Sequence, residues 1–369
     1  RPFIGEMNYC LTEERILQFD EQQLLDITKH EIGHVLGFHP AMFNTLPDLD
    51  HDFQLSSNNE RPVQDITLRW KSTKGTFNIQ KTIIRLPNML KEARRHFGCA
   101  ELQGIELVND HFSHRIMGND LMTPSKLVIQ HASRISLAYF KDTGMYDVDY
   151  SMAEDFTWGK GLGCDFVMKS CYEFIRNRQS RGEDIQPFCN ERNKIKCLNS
   201  EHAFGRCSIY KYGTELPLEN QYIDSTFNVR PNETQYYGGS SLFDYCPIIE
   251  KYWIDENRTS SCTSKISLKP DLTTNRLLED VGRKSTCFEH TPMEYHSQSL
   301  ITPDSRTASC HKFKCLESVL QIIIGETEYR CPIQGGIIRI GVKLETATVY
   351  TNITCPRCQT ICKKCTSEK

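Results

Sequence analysis

Seventeen cysteines, fifteen of them between Cys164 and Cys365, constrain this chain of 369 residues more than any other feature. At that density and with irregular spacing, the pattern is a disulfide framework of the oxidising, secretory kind. Three N-x-[ST] triplets, at Asn232, Asn257 and Asn352, lie in the same region and are candidate glycosylation sites. They point the same way, to an extracellular or cell-surface protein. The run Cys355, Cys358, Cys362, Cys365 superficially resembles a pair of zinc-ribbon half-sites. Its central loop is too short for a usual ribbon, and the oxidising context favours disulfides. An odd cysteine count leaves at least one without an intrachain partner, and Cys10, remote from the rest, is the expected one.

Charge excludes some functions. The 44 basic residues are scattered and balanced by 47 acidic ones, so nothing favours nucleic acid. Runs such as Lys91-Glu92-Ala93-Arg94-Arg95 are read as solvated helix faces. No apolar stretch is long enough to span a bilayer; the best, Val319–Ile324, is strand-length and ends at Gly325. The chain starts at Arg1 with no initiator Met and no apolar leader, and is read as part of a longer precursor. A signal, a pro-segment and part of the catalytic domain are then expected upstream, with Cys10 bonded to a cysteine there. Peripheral membrane attachment stays open, because an anchor signal is removed on maturation.

One octapeptide carries chemistry: His30-Glu31-Ile32-Gly33-His34-Val35-Leu36-Gly37. Apolar periodicity predicts a helix from about Asp20, its cap, to Leu36, ending at Gly37. Residues four apart share a helix face, so His30 and His34 can offer two imidazoles to one Zn2+. Glu31 is then placed to take a proton from water bound to that ion. Apolar residues surround most of this helix, so burial makes its ionisable groups costly unless they are paired or metal-bound. A catalytic zinc takes three protein ligands and keeps one position open, whereas structural sites are closed and rich in Cys. The short metzincin pattern would put the third histidine where Pro40 stands, and His39 is one residue off. The third ligand must come from elsewhere.

Around this helix the chain reads as follows. Arg1–Cys10 resembles a short strand. Residues 38 to about 87 are polar and turn-rich, an insertion over the surface, with strand-like alternation near Thr76–Ile79 and Ile83-Ile84. Helices are predicted over Leu90–Phe97 and from roughly Pro124 to Asp142. After Cys164 the sequence breaks into short segments punctuated by Cys, Gly and Pro.

The segment His111-Phe112-Ser113-His114-Arg115-Ile116-Met117-Gly118-Asn119-Asp120-Leu121-Met122 resembles the third-ligand motif of the leishmanolysin family of zinc peptidases. In that family a long insertion separates the helix glycine from the third histidine. Arg1–Gly5, Gly37-Phe38, Ala93–Cys99, Leu102–Leu107, Tyr150–Glu154, Trp158-Gly159 and Gly163–Phe166 are also family-like. The resemblance covers most of residues 1 to 210 and then thins to cysteine spacing. It makes His111 the third ligand, with His114 the competitor, and Met122 the methionine of the turn beneath the metal. It also suggests the disulfides Cys99–Cys164, Cys171–Cys246, Cys189–Cys207, Cys197–Cys287 and Cys262–Cys310. His39 and His131 are read as surface or supporting residues, and His51 and His96 have no motif context. One departure stands out: the family's glycine-rich stretch before the third histidine is replaced by Val108-Asn109-Asp110. The site is then stiffer, or docks an inhibitory pro-segment differently.

The expected fold is α+β: a metzincin-like catalytic domain, its active-site helix packed on a mixed sheet and its N-terminal part missing, then a disulfide-rich, loop-rich C-terminal domain. Residues 1–37 would end the N-terminal catalytic subdomain, 38–163 form a central subdomain with insertion, third ligand and Met-turn, and 164–369 the Cys-rich domain. The function implied is a secreted or surface zinc endopeptidase acting on proteins or peptides. The alternative is a catalytically silent adhesive or structural protein that retains the fold.

Overall fold

The computed structural model describes residues 5–7, 21–43, 46, 61–124, 130–198, 202–255, 258–263, 275, 278–297, 301–304, 306–316, 319–344, 347–362 and 365. The chain forms two compact units: a first, Arg1–Asn190 with Ile209–Pro247, and a second, Glu191–Ser208 with Ile248–Lys369. The disulfides Cys99–Cys164 and Cys171–Cys246 both lie within the first unit, which takes in 164–190 and 209–247 with the histidine-bearing part of the chain.

In the first unit, helix α1 spans Glu21–Val35. It stops where expected: Gly37 takes φ +115°, and the amides of Gly37 and Phe38 bond back to His34 and Gly33 at 3.0 Å each. Asp20, its expected cap, lies outside the described residues, and of the expected first strand only Gly5, Glu6 and Met7 are described, in no regular element. A short helix, α2, follows over Pro40–Phe43.

From residue 61 onward the insertion is regular β structure rather than the loop that its polar composition implies. Strands β1 (Val63–Ser72) and β2 (Gly75–Ile84) pair antiparallel along their whole length, from Val63 opposite Ile84 to Ser72 opposite Gly75. Alternation along β1 leaves one face exposed and buries Trp70 and Ser72. Helix α3 (Pro87–Phe97) starts on a proline and ends at Gly98 in the left-handed region. Its first turn is capped from outside, the Asp142 carboxylate accepting from the amides of Asn88 and Met89 at 3.1 and 2.8 Å.

Strand β3 (Ile105–Val108) pairs with β2, and a two-residue turn returns the chain as β4 (His111–Phe112), with Val108 opposite His111. Asn109 supplies the positive φ, +57°, that such a hairpin turn demands. The sheet order β1-β2-β3-β4 thus ends on the strand that carries His111. A single helical turn, α4 (His114–Met117), closes on Gly118, where a Cβ would lie 2.1 Å from the Trp158 ring. Helix α5 covers Arg134–Asp142, shorter than predicted. Ser133 caps it by accepting from the amides of Ile135 and Ser136; residues 130–132 before it are not helical, and 125–129 lie outside the described residues. Phe38, Phe43, Phe112 and Tyr139 pack ring against ring beneath the helix exit, each buried. Each such ring contributes on the order of 1.5–3 kcal/mol through removal from water.

The second unit is stapled by Cys197–Cys287, Cys262–Cys310, Cys315–Cys362, Cys331–Cys355 and Cys358–Cys365. The CxxC run therefore carries disulfides, and its sulfurs are not thiolates free for zinc. Cys189 and Cys207 are also disulfide-bonded, and Cys10 lies outside the described residues. Besides loops, this unit holds an eight-stranded antiparallel sheet. The apolar run Val319–Ile324 is one of its interior strands, paired on both sides and turned at Gly325. Of the sequons, Asn232 is exposed, Asn352 is half-buried in the strand Ala347–Cys355, and Asn257 lies outside the described residues. Among the described residues no helix is long and apolar enough to cross a membrane.

Candidate metal centre

Three histidines from two elements meet in the first unit. His30 and His34 lie one turn apart on α1, and His111 opens β4. Their Nε2 atoms are mutually 3.1 Å apart, an equilateral triangle of nitrogens.

The far side of each ring fixes its proton. His30 Nδ1 lies 2.6 Å from the carbonyl oxygen of Leu121, and His34 Nδ1 lies 2.7 Å from that of Phe38. A carbonyl oxygen only accepts, so both Nδ1 atoms must be the donors. His111 Nδ1 lies 2.7 Å from Asp110 Oδ1, a carboxylate that likewise accepts. All three Nε2 atoms therefore present lone pairs to one another.

Three lone pairs facing at this distance repel unless a cation lies between them. Tetrahedral zinc with ordinary Zn–N lengths places its nitrogen ligands about 3.3 Å apart, so the triangle fits such an ion. His30 is buried and the other two are half-buried. Burial, the largest influence on His111, lowers its pKa, which favours the neutral form that can ligate a metal.

Glu31 follows His30 on α1 and is half-buried. Met122 is fully buried against the helix: a Cβ built on Gly33 would lie 2.5 Å from its Sδ. The turn that carries it is tied in several ways. Phe112 donates to Met122 O at 2.9 Å, and the Met122 amide donates to Asp120 Oδ1 at 3.0 Å. The same oxygen accepts from Ser136 at 2.5 Å, while Asp120 Oδ2 has no hydrogen-bond partner among the described residues. Burial pushes the Asp120 carboxyl up to about 6. The helix exit is held from α5 and beyond: Tyr139 donates to Gly37 O at 2.7 Å and Tyr146 to Leu36 O at 2.8 Å.

The other histidines go elsewhere. His39 is exposed, and its Nδ1 accepts from the Ala41 amide. His114, the competitor for third ligand, is buried with its ring 5.3 Å from that of Phe243, and burial pushes it down to about 4. His131 uses its backbone, accepting from the Leu121 amide, and His96 bonds Trp158 O. His51 lies outside the described residues. Sequence reasoning missed Asp110, Asp120 and the two carbonyls that orient His30 and His34. Of these, Asp110, adjacent to His111, and Asp120, the acidic residue of the turn motif that ends at Met122, leave a trace in the sequence.

A sequence model of the leishmanolysin family of peptidases matches residues 1–368. The leishmanolysin-like peptidase of Drosophila pseudoobscura pseudoobscura is 30% identical over 400 residues, covering 98% of this chain and 58% of the relative. That of Caenorhabditis elegans is 28% identical over 406 residues, covering 99% and 61%. Leishmanolysin of Leishmania major is 25% identical over 275 residues, covering 72% and 39%. The chain thus spans 58% of the length of the fly relative.

Proposed function

The chain belongs to the leishmanolysin family, and from that premise we propose that it is a zinc endopeptidase of the cell surface or extracellular space. The observation that carries this reading is the triangle of unprotonated Nε2 atoms on His30, His34 and His111, with Glu31 beside it in the sequence of α1. In this reading those three histidines hold the ion, and residues 1–37, 38–163 and 164–369 supply the helix, the third ligand with its turn, and the Cys-rich remainder.

Bound zinc supplies a Lewis acid that polarises a peptide carbonyl and lowers the pKa of water to about 7. Glu31 accepts a proton from the attacking water and returns it to the leaving amine, a general acid–base role worth about 10²- to 10⁴-fold. Gly37 ends the helix so that Phe38 O can hold the His34 ring. Met122 packs under the helix between the two histidines and limits their movement. Proteins or peptides are the substrate class. The disulfides of both units support an oxidising location.

The test is cleavage of an unfolded protein by the chain expressed with whatever sequence its gene places on either side. Wild type should cleave and lose activity to a chelator. Glu31→Gln should keep zinc and lose cleavage. Proteolysis retained in Glu31→Gln would remove the base assignment. Zinc bound without any cleavage by the wild type would favour the adhesive or structural reading.

A further inference from the structure

The three rings of the triangle are not oriented in the same way. Backbone carbonyls hold His30 and His34, at 2.6 and 2.7 Å, so their acceptors are neutral and belong to the fold itself. His111 Nδ1 is held instead by a side chain, Asp110 Oδ1 at 2.7 Å, and that acceptor carries a full charge. We propose that Asp110 is the positioning residue of the third ligand, fixing the ring and proton of His111 and strengthening its Nε2 as a donor to the metal. The inference rests on the zinc reading above and goes beyond it in assigning a role to a residue outside the ligand set.

The local fold explains why this residue can reach the ring. Neighbours on a strand point to opposite faces, so a strand residue preceding His111 would turn its side chain away. Asp110 instead occupies the second position of the two-residue turn between β3 and β4. The left-handed Asn109, φ +57°, directs the chain so that carboxylate and imidazole lie on one side. A flexible glycine-rich link would not hold that geometry. Here the tight hairpin from Val108 to His111 holds it.

Exposure limits what the charge alone can do. The Asp110 side chain is 43% exposed and the His111 side chain 17%, so solvent screens part of their attraction. The geometric part is not screened. With Nδ1 held as the donor, Nε2 keeps its lone pair toward His30 and His34. Without Asp110 the ring is free to rotate or to carry its proton on Nε2, and either change must be reversed before metal binds. Loss of such an orienting group typically costs metal affinity about 10- to 100-fold.

The experiment is zinc competition against a chelator at pH 7 with the parent chain, Asp110→Ala and Asp110→Asn, alongside thermal unfolding of each metal-free form. Asp110→Ala should bind zinc about 10- to 100-fold more weakly. Asp110→Asn, which keeps an acceptor oxygen but not the charge, should fall between it and the parent. Metal-free melting should be unchanged in both, and cobalt in place of zinc should show a shifted visible spectrum in Asp110→Ala. If Asp110→Ala melts early, Asp110→Asn decides alone: weaker zinc binding supports the role and unchanged binding overturns it. Both variants binding zinc as tightly as the parent overturns the role of Asp110 while leaving the zinc reading intact. A parent chain that binds no zinc overturns both.

Discussion

Gly33 lies so close to Met122 that a Cβ on the glycine would sit 2.5 Å from the thioether sulfur and 3.1 Å from its methyl. Gly33 is one residue before His34, so the two residues set how deeply the helix carrying two of the three histidines can settle. In an ordinary helix, glycine to alanine stabilises by about 0.5–1 kcal/mol. Here the added methyl must displace a fully buried side chain. Gly33→Ala should therefore lower stability, by about 1–3 kcal/mol as overpacking does, and weaken zinc binding. Met122→Ala in the same chain should relieve part of that loss. A double-mutant cycle on the denaturant midpoint checks this, and additive effects would remove the contact from the explanation.

A second relationship lies just beyond the third histidine. Arg115 is fully buried, stacked 4.5 Å from the Trp70 ring, with Nε donating to Asp244 at 3.1 Å and Nη1 to Phe166 O at 3.1 Å. Lys81 completes the group, donating to Glu106 at 2.7 Å and Asp244 at 2.8 Å while lying 4.9 Å from Trp70. Two cations and two carboxylates are thus balanced around one indole. Arg115→Met should cost about 3–5 kcal/mol, because it leaves Glu106 and Asp244 to share the single ammonium of Lys81. Arg115→Lys should not restore stability, since an ammonium lacks the planar fork that bonds both Asp244 and Phe166 O while stacking on the ring. Denaturant unfolding with disulfides intact measures both, and a change within about 0.5 kcal/mol for Arg115→Met would contradict the account.

These two relationships differ in how far the sequence reveals them. The α1 helix, its end at Gly37 and the chemistry of His30, Glu31 and His34 are legible because they are local: one period and one turn residue encode them. His111 is legible only through resemblance to a family motif, because no spacing rule links it to His34. The reason is structural: the intervening chain builds a hairpin of two ten-residue strands and then a third strand before it delivers His111. Polar alternation on an exposed ribbon reads as loop, so this part of the insertion looked less ordered than it is. The Arg115 group draws on Trp70, Lys81, Glu106 and Asp244, and side chains gathered from five separate places leave no periodicity to find. The disulfides Cys99–Cys164, Cys171–Cys246, Cys197–Cys287 and Cys262–Cys310 matched the family-like spacing. Two further pairs in the second unit, Cys315–Cys362 and Cys331–Cys355, involve cysteines in or beside its sheet, and Cys358–Cys365 is local, seven residues apart.

Metal removal should destabilise the chain. The three Nε2 lone pairs at 3.1 Å repel in the metal-free form, and in the proposed reading zinc binds where they converge. Free zinc at about a hundred times its dissociation constant should add about 2.7 kcal/mol to unfolding. Titrating zinc into the apo chain should raise its melting temperature in proportion to the logarithm of concentration, and His111→Ala should flatten that response. An equal rise in His111→Ala would move the stabilising site elsewhere.

Acid should destabilise the second unit through His311. It lies in the strand Ala308–Leu316, fully buried, its Nε2 2.8 Å from Ser309 Oγ, and burial pushes its pKa down to about 4. The unfolded chain restores the ordinary value near about 6.5. A group whose folded pKa is depressed contributes stability that is fully present above the unfolded value and is lost as pH falls through the folded one. His311 should therefore cost up to about 3 kcal/mol between about pH 6.5 and 4. Asp120 acts with the opposite sign: burial raises it to about 6, so its contribution is fully present below about 3.8 and falls as pH rises toward 6. The two partly cancel in the whole chain, and a variant separates them. In His311→Gln, unfolding midpoints measured from about pH 7 to 4.5 should fall less steeply than in the parent. Parallel pH profiles would mean that His311 takes up its proton equally in the folded and unfolded chain.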